Sequence, residues 1–153
     1  MNRLLLPVVF LALAACTPTP KIPSKVAVAD ILCRPTLNGR DVTGCYLTLT
    51  AERDDRLVSV SSPAAGTAQI HEMKVEDGMM KMTELKDGLP LPAGQPVSLA
   101  PGGNHIMLMA LTQPLSVGDQ VSLTLSFEHA QQIGVRAIVS QPAVAAKSPD
   151  TAG

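Results

Sequence analysis

The 153-residue chain has no Trp, one Tyr (Tyr46) and two Phe, Phe10 and Phe127. A core without large rings has to be filled by Val, Leu, Ile, Ala and Met. Charge is also sparse. The formal net charge is −1 and no basic run occurs, so the electrostatic footprint of a nucleic-acid partner is missing. There is no GxSxG and no HExxH, which leaves hydrolase chemistry without its usual constellations. No CxxC occurs among the three cysteines. The length suits one domain with a real core and is short for two.

What is present begins with an export signal. Arg3 precedes an apolar run from Leu4 to Ala15, too short to span a bilayer, that ends in Leu13-Ala14-Ala15-Cys16. This end resembles a bacterial lipobox, so residues 1–15 read as a lipoprotein signal peptide and Cys16 as the lipidated residue. Acyl chains would anchor the mature protein at roughly 0.8 kcal/mol per buried CH2. Thr17, rather than Asp, follows the Cys, which favours the outer over the inner membrane of a periplasm-bounded cell. Residues 16–25 contain the Pro-punctuated tether TPTPKIPSK, residues 26–140 form the folded domain, and residues 141–153 read as a disordered tail. Export leaves Cys33 and Cys45 as an even pair in an oxidising compartment, where a structural disulfide joining the first two strands is expected.

Within the domain the pattern is strand after strand, with no helical period. Candidates are Val26 to Cys33, Val42 to Ala51, Arg56 to Ser61, Thr67 to Lys74, Met79 to Glu84, Val97 to Leu99, His105 to Leu111, Gln120 to Phe127 and Ile133 to Val139. Turn chemistry separates them, as at Asn38-Gly39, Asp77-Gly78, Asp87-Gly88 and Pro101-Gly102-Gly103. Short strands at this spacing indicate an all-β, single-domain Greek-key β-sandwich.

Seven Met is a high count, and five of them, Met73, Met79, Met80, Met82 and Met107, lie near His71 or His105. In a strand, residues i and i+2 share a face. His105 and Met107 therefore point to one side, and Met80 and Met82 do the same on another strand. Two imidazoles and two thioethers can converge if these segments meet at one end of the sandwich. Thioether sulfur is soft and neutral and binds Cu(I) far better than Zn(II), Mg(II) or Ca(II). A His2Met2 set also has no thiolate to lose to oxidation. The bland alternative is that Met fills an irregular core. On that reading Met73, Met79 and Met109 pack or sit behind ligands, and His129, beyond Glu128 in a turn, faces solvent. A structural or interaction lipoprotein with incidental His and Met is the rival. A blue-copper redox protein would need a Cys near His105, and none is close in sequence.

The stretch from Gly66 to Glu128, GTAQIHEMKVEDGMMKMTELKDGLPLPAGQPVSLAPGGNHIMLMALTQPLSVGDQVSLTLSFE, resembles the periplasmic copper chaperone family PCuAC. The family pattern is His, ten residues, Met, about twenty-one residues, then His-x-Met. Here ten residues separate His71 from Met82 and twenty-two separate Met82 from His105, with the excess placed around Lys86 to Leu91. The likeness extends over roughly Val26 to Val139. It implies a cupredoxin-like sandwich holding one Cu(I) through His71, Met82, His105 and Met107, with Met80 as an alternative to Met82. It further implies a monomer that delivers copper to a cytochrome c oxidase subunit, toward the CuA centre, or to a Sco-type thiol protein. The lipid anchor and the Cys33/Cys45 pair are not part of the family motif.

Overall fold

The computed structural model describes residues 23–142. The signal peptide, Cys16, the tether through Ile22 and the tail from residue 143 onward lie outside the described residues. Ten strands are present among the described residues: β1 Val26–Cys33, β2 Thr43–Ala51, β3 Asp55–Ser61, β4 Ala65–Glu76, β5 Met79–Glu84, β6 Leu89–Leu91, β7 Pro96–Leu99, β8 His105–Leu111, β9 Gln120–Phe127 and β10 Ile133–Val139. Nine match the sequence expectation to within two residues at each end. The short β6, Leu-Pro-Leu, is the addition. It forms because Leu89 and Leu91 are buried against the core while Pro90, which has no N–H to donate, sits at the outer end of the sheet path.

Alternation explains the longer strands. In β9, Val121, Leu123 and Leu125 are buried while Gln120 and Ser122 face out. In β2, Cys45, Leu47 and Leu49 point inward. The strands follow one hydrogen-bonded path, β5-β4-β8-β2-β1-β10-β9-β3-β6, with β7 also paired to β2. Strand β2 accommodates two neighbours on one edge because its first part, Thr43 to Cys45, pairs with β8 and its second, Leu47 to Thr50, pairs with β7. The parallel β1–β10 pairing joins the two layers of the sandwich.

The buried cluster consists of Val, Leu, Ile, Ala and the two cysteines. Contrary to the expectation that Met would help fill the core, no Met is among its fully buried members. Cys33 and Cys45, both fully buried, form a disulfide between directly paired positions of β1 and β2. Closing a loop of this length is worth about 3 kcal/mol. A second staple is Asp55, at the start of β3. Its carboxylate accepts N–H bonds from Arg56 (2.7 Å), His129 (3.0 Å) and Ala130 (2.9 Å), tying β3 to the β9–β10 turn. Burial opposes its charge, but these donors outweigh it and hold the carboxyl below its ordinary range. The His129 side chain is exposed, as expected.

Two turns show how space, as well as backbone angle, fixes glycine. Asp77 and Gly78 both have positive φ, 52° and 77°, as a two-residue hairpin between β4 and β5 requires. Gly88, φ 80°, closes the turn before β6 through its N–H to Leu85 O at 2.9 Å. A Cβ at Gly78 meets nothing within 4 Å, whereas one at Gly88 would overlap the Leu57 carbonyl oxygen. Gly78→Ala should therefore cost about 1–2 kcal/mol for the left-handed angle alone. Gly88→Ala should cost roughly 1–3 kcal/mol beyond that, because backbone has to move. Urea denaturation of the two variants checks this; equal losses would show that the overlap is relieved without cost.

Candidate metal centre

Strands β4 and β8 pair antiparallel in a register that sets His71 directly opposite His105 and Gln69 opposite Met107. Paired residues share a face. The inward parity is taken by Ile70 and Ile106, which are also paired, and by Leu108, all buried. His71, His105 and Met107 consequently lie on the opposite, outer face. On the other side of β4, strand β5 sets Glu84 opposite His71 and Met82 opposite Met73. His71 is thus the centre of the group, with His105 across one strand boundary, Met107 diagonal to it, and Met82 diagonal across the other boundary. Met80 pairs with Val75, one same-face step of about 6.8 Å further from His71 than Met82. The group sits on the outer face of the sheet's β5–β4–β8 end, where the burial of the Ile and Leu of alternate parity puts it.

The two imidazole rings approach with centroids 5.7 Å apart at an interplanar angle of 56°. Each ring is held by one nitrogen. His105 Nδ1 donates to the Gly103 carbonyl at 3.0 Å, leaving the Nε2 lone pair free. His71 Nε2 lies 2.9 Å from Gln69 Oε1, to which it donates, leaving the lone pair on Nδ1. That Nδ1 is buried and has no hydrogen-bond partner. A buried nitrogen without a partner costs roughly 1–3 kcal/mol, a cost that a ligand at Nδ1 would offset. Fixing one ring nitrogen by a hydrogen bond so that the other can bind metal is the usual outer support of a histidine ligand.

The turn before β8 builds half of this arrangement. Gly102 has φ 84°, and the turn closes through Gly103 N–H to Ala100 O at 3.0 Å and Ala100 N–H to Asn104 O at 2.8 Å. Gly103 itself does not need a positive φ; its part is the carbonyl that orients His105. On the far side of β8, Gly44 of β2 lies opposite Met107 and places no side chain beside it.

Electrostatics favour the neutral form of His71. His105 is 7% exposed and His71 is half-buried. Burial first, and the neighbouring His105 second, push the His71 proton affinity below the ordinary imidazole value, with Glu84 acting weakly the other way. Met82 is 50% exposed and Met80 54%, while Met73, Met107 and Met109 are half-buried. Among the described residues no three side chains drawn from His, Cys, Asp and Glu gather into a metal-binding group. The thioethers of Met107 and Met82 lie on the same face as the His pair. Met109, paired with Thr67, lies further along β8 from His71, and Met79, paired with Glu76, faces the opposite side of the hairpin. Sequence reasoning did not find Gln69. The signal was its i, i+2 relation to His71, which acquires meaning only with the partner strand in place.

The family model described as "Putative lipoprotein LpqE-like" matches residues 26–139. A protein of Leifsonia xyli subsp. xyli named "Putative lipoprotein Lxx21020" is 46% identical over 71 residues, covering 46% of this chain and 43% of the relative. The chain spans less than two thirds of the length of the curated relatives it matches, 43% and 63%. Among solved structures, the copper-bound PCuAC domain from PmoF2 superposes with a TM-score of 0.64 at 28% identity, covering 79% of this chain and 97% of that domain. The solution structure of CuI-DR1885 from Deinococcus radiodurans superposes with a TM-score of 0.54 at 28% identity, covering 83% of both chains. The all-β architecture is thus the cupredoxin-like sandwich of PCuAC domains. With the family match running from β1 to the end of β10, the chain belongs to the LpqE-like family and its folded part is a domain of the PCuAC type.

Proposed function

We propose that this chain is a lipid-anchored, extracytoplasmic metallochaperone that carries one Cu(I) in a site made of His71, Met82, His105 and Met107. The observation that carries the reading is the opposed His71–His105 pair, whose two unengaged nitrogens share a face with both thioethers. Its support from relatives is the likeness to a copper-bound PCuAC domain and to CuI-DR1885. Lipoprotein names in the family agree with anchoring through Cys16 in the periplasm, with the outer membrane favoured over the inner by Thr17.

The chemistry follows from donor type. Four neutral donors match a soft monovalent ion and give a divalent ion no charge compensation. Because His71 is neutral near pH 7, copper displaces no proton from it on binding. Met82, half exposed at the sheet's end, is the donor a partner reaches first. Exchange of its single Cu–S bond for a partner's ligand starts hand-over, and the copper stays +1 throughout. The acceptor is a cytochrome c oxidase subunit bound for CuA assembly or a Sco-type thiol protein. The domain works as a carrier without catalytic turnover, as a monomer.

Three outcomes are expected. Titration with Cu(I) against a chromophoric chelator should give tight one-to-one binding, reduced at least tenfold by His105→Ala and by Met107→Ala, about 1.4 kcal/mol or more each. Unchanged binding in both variants would sink the assignment. Gln69→Leu should weaken Cu(I) binding by about 10–100-fold and release the fixed His71 tautomer. Gln69→Glu, which keeps an acceptor, should preserve the tautomer; long-range 1H–15N spectra of the copper-free protein read it directly. Acid should destabilise the copper-free fold. The unfolded His71 titrates near 6.5 and the folded ring lower, so between these values the unfolded chain binds more protons and stability falls as pH drops. Melting temperature between pH 7.5 and 5.5 should fall more for the wild type than for His71→Gln.

A further inference from the structure

Strand β5 has no buried face: Met79 to Thr83 are all exposed and Glu84 is half-buried. One side of the β4–β5 hairpin is accounted for by charge, with Lys74 paired to Glu72 at 2.7 Å and Lys81 to Glu76 at 2.8 Å. The other side carries Met73 opposite Met82 and Val75 opposite Met80. Val75 is 68% exposed, Met80 54% and Met82 50%. Filling a core gap, the ordinary use of Met, cannot explain residues that touch no core. A contiguous exposed apolar strip beside a site is a feature that needs an occupant.

We propose that Met73, Met80 and Met82 form a second, thioether-only Cu(I) site on the outer face of this hairpin, which receives copper and passes it to the histidine pair. This rests on the Cu(I) reading above and adds an entry step to it. Reach is adequate. Directly opposed residues such as Met73 and Met82 have Cβ atoms roughly 4.5–5.5 Å apart, and Met80 lies one same-face step of about 6.8 Å along β5. Each side chain has three rotatable bonds to close the remaining gap. Three neutral sulfurs suit Cu(I) and reject hard divalent ions. Met82 belongs to both sets, so copper can cross without leaving the protein. In the crossing the Cu–S bonds to Met73 and Met80 break and bonds to His71 Nδ1, His105 Nε2 and Met107 sulfur form. Copper remains +1. One nitrogen of each ring is engaged by a protein oxygen, and the other is left for copper.

The test uses the full chain with His71→Gln and His105→Gln together, titrated with Cu(I) against a competing chelator and examined by X-ray absorption at the copper edge. The expected result is one retained equivalent, more than about tenfold weaker than wild type, with an all-sulfur ligand shell. Adding Met73→Leu and Met80→Leu to that variant should abolish the binding. In the wild-type background the same two leucines should slow stopped-flow loading. Position 80 is exposed and position 73 half-buried, leucine is close to methionine in volume, and circular dichroism verifies the fold. No binding by the double-histidine variant while the wild type binds overturns the relay alone. So does nitrogen or oxygen ligation in that variant, or binding indifferent to the leucines. Failure of the wild type and the variant alike overturns both readings.

Discussion

The structure depends on the parity of one strand. In β8, Ile106 and Leu108 are driven inward by burial, and each is paired on both sides, to Cys45 and Thr43 of β2 and to Ile70 and Ala68 of β4. A one-residue slip would place His105 and Met107 in the core and two branched aliphatics in water. Fully burying one such side chain contributes about 1.5–3 kcal/mol, so the register is held by several kcal/mol before any metal is considered. His105 and Met107 are thus held on the outer face by residues that point away from them.

Much of this was legible in the sequence. Alternation and turn residues located nine strands, and the spacing of His71, Met82, His105 and Met107 named the residues that the register later gathered around His71. Two things were not legible. Strand β6 is three residues long with a central Pro, too short for period to show. The distinction between Met that fills a core and Met that faces out requires knowing what lies across the strand. That is why Met79 looked like packing and is exposed. Gln69 was invisible for a related reason: a glutamine two residues from a histidine is ordinary until the ring's other nitrogen is seen to be buried and without a partner.

The site is notable for what its charges do not do. Ion pairs on the hairpin are confined to the face away from the thioethers, and they are solvent-exposed pairs of the kind that contribute little to stability. Glu84 faces His71 yet does not keep it protonated, because burial and the second imidazole act more strongly. Desolvation and the second imidazole together thus favour the neutral form of His71.

The disulfide has a consequence beyond holding β1 to β2. Cys45 is paired across the sheet with Ile106 and, like it, is fully buried, so the bridge lies on the face opposite His105 and Met107. Cross-linked behind the sheet, the two cysteines leave the outer face to imidazole and thioether, while their bond ties β2, the strand that holds the start of β8 in register, to β1.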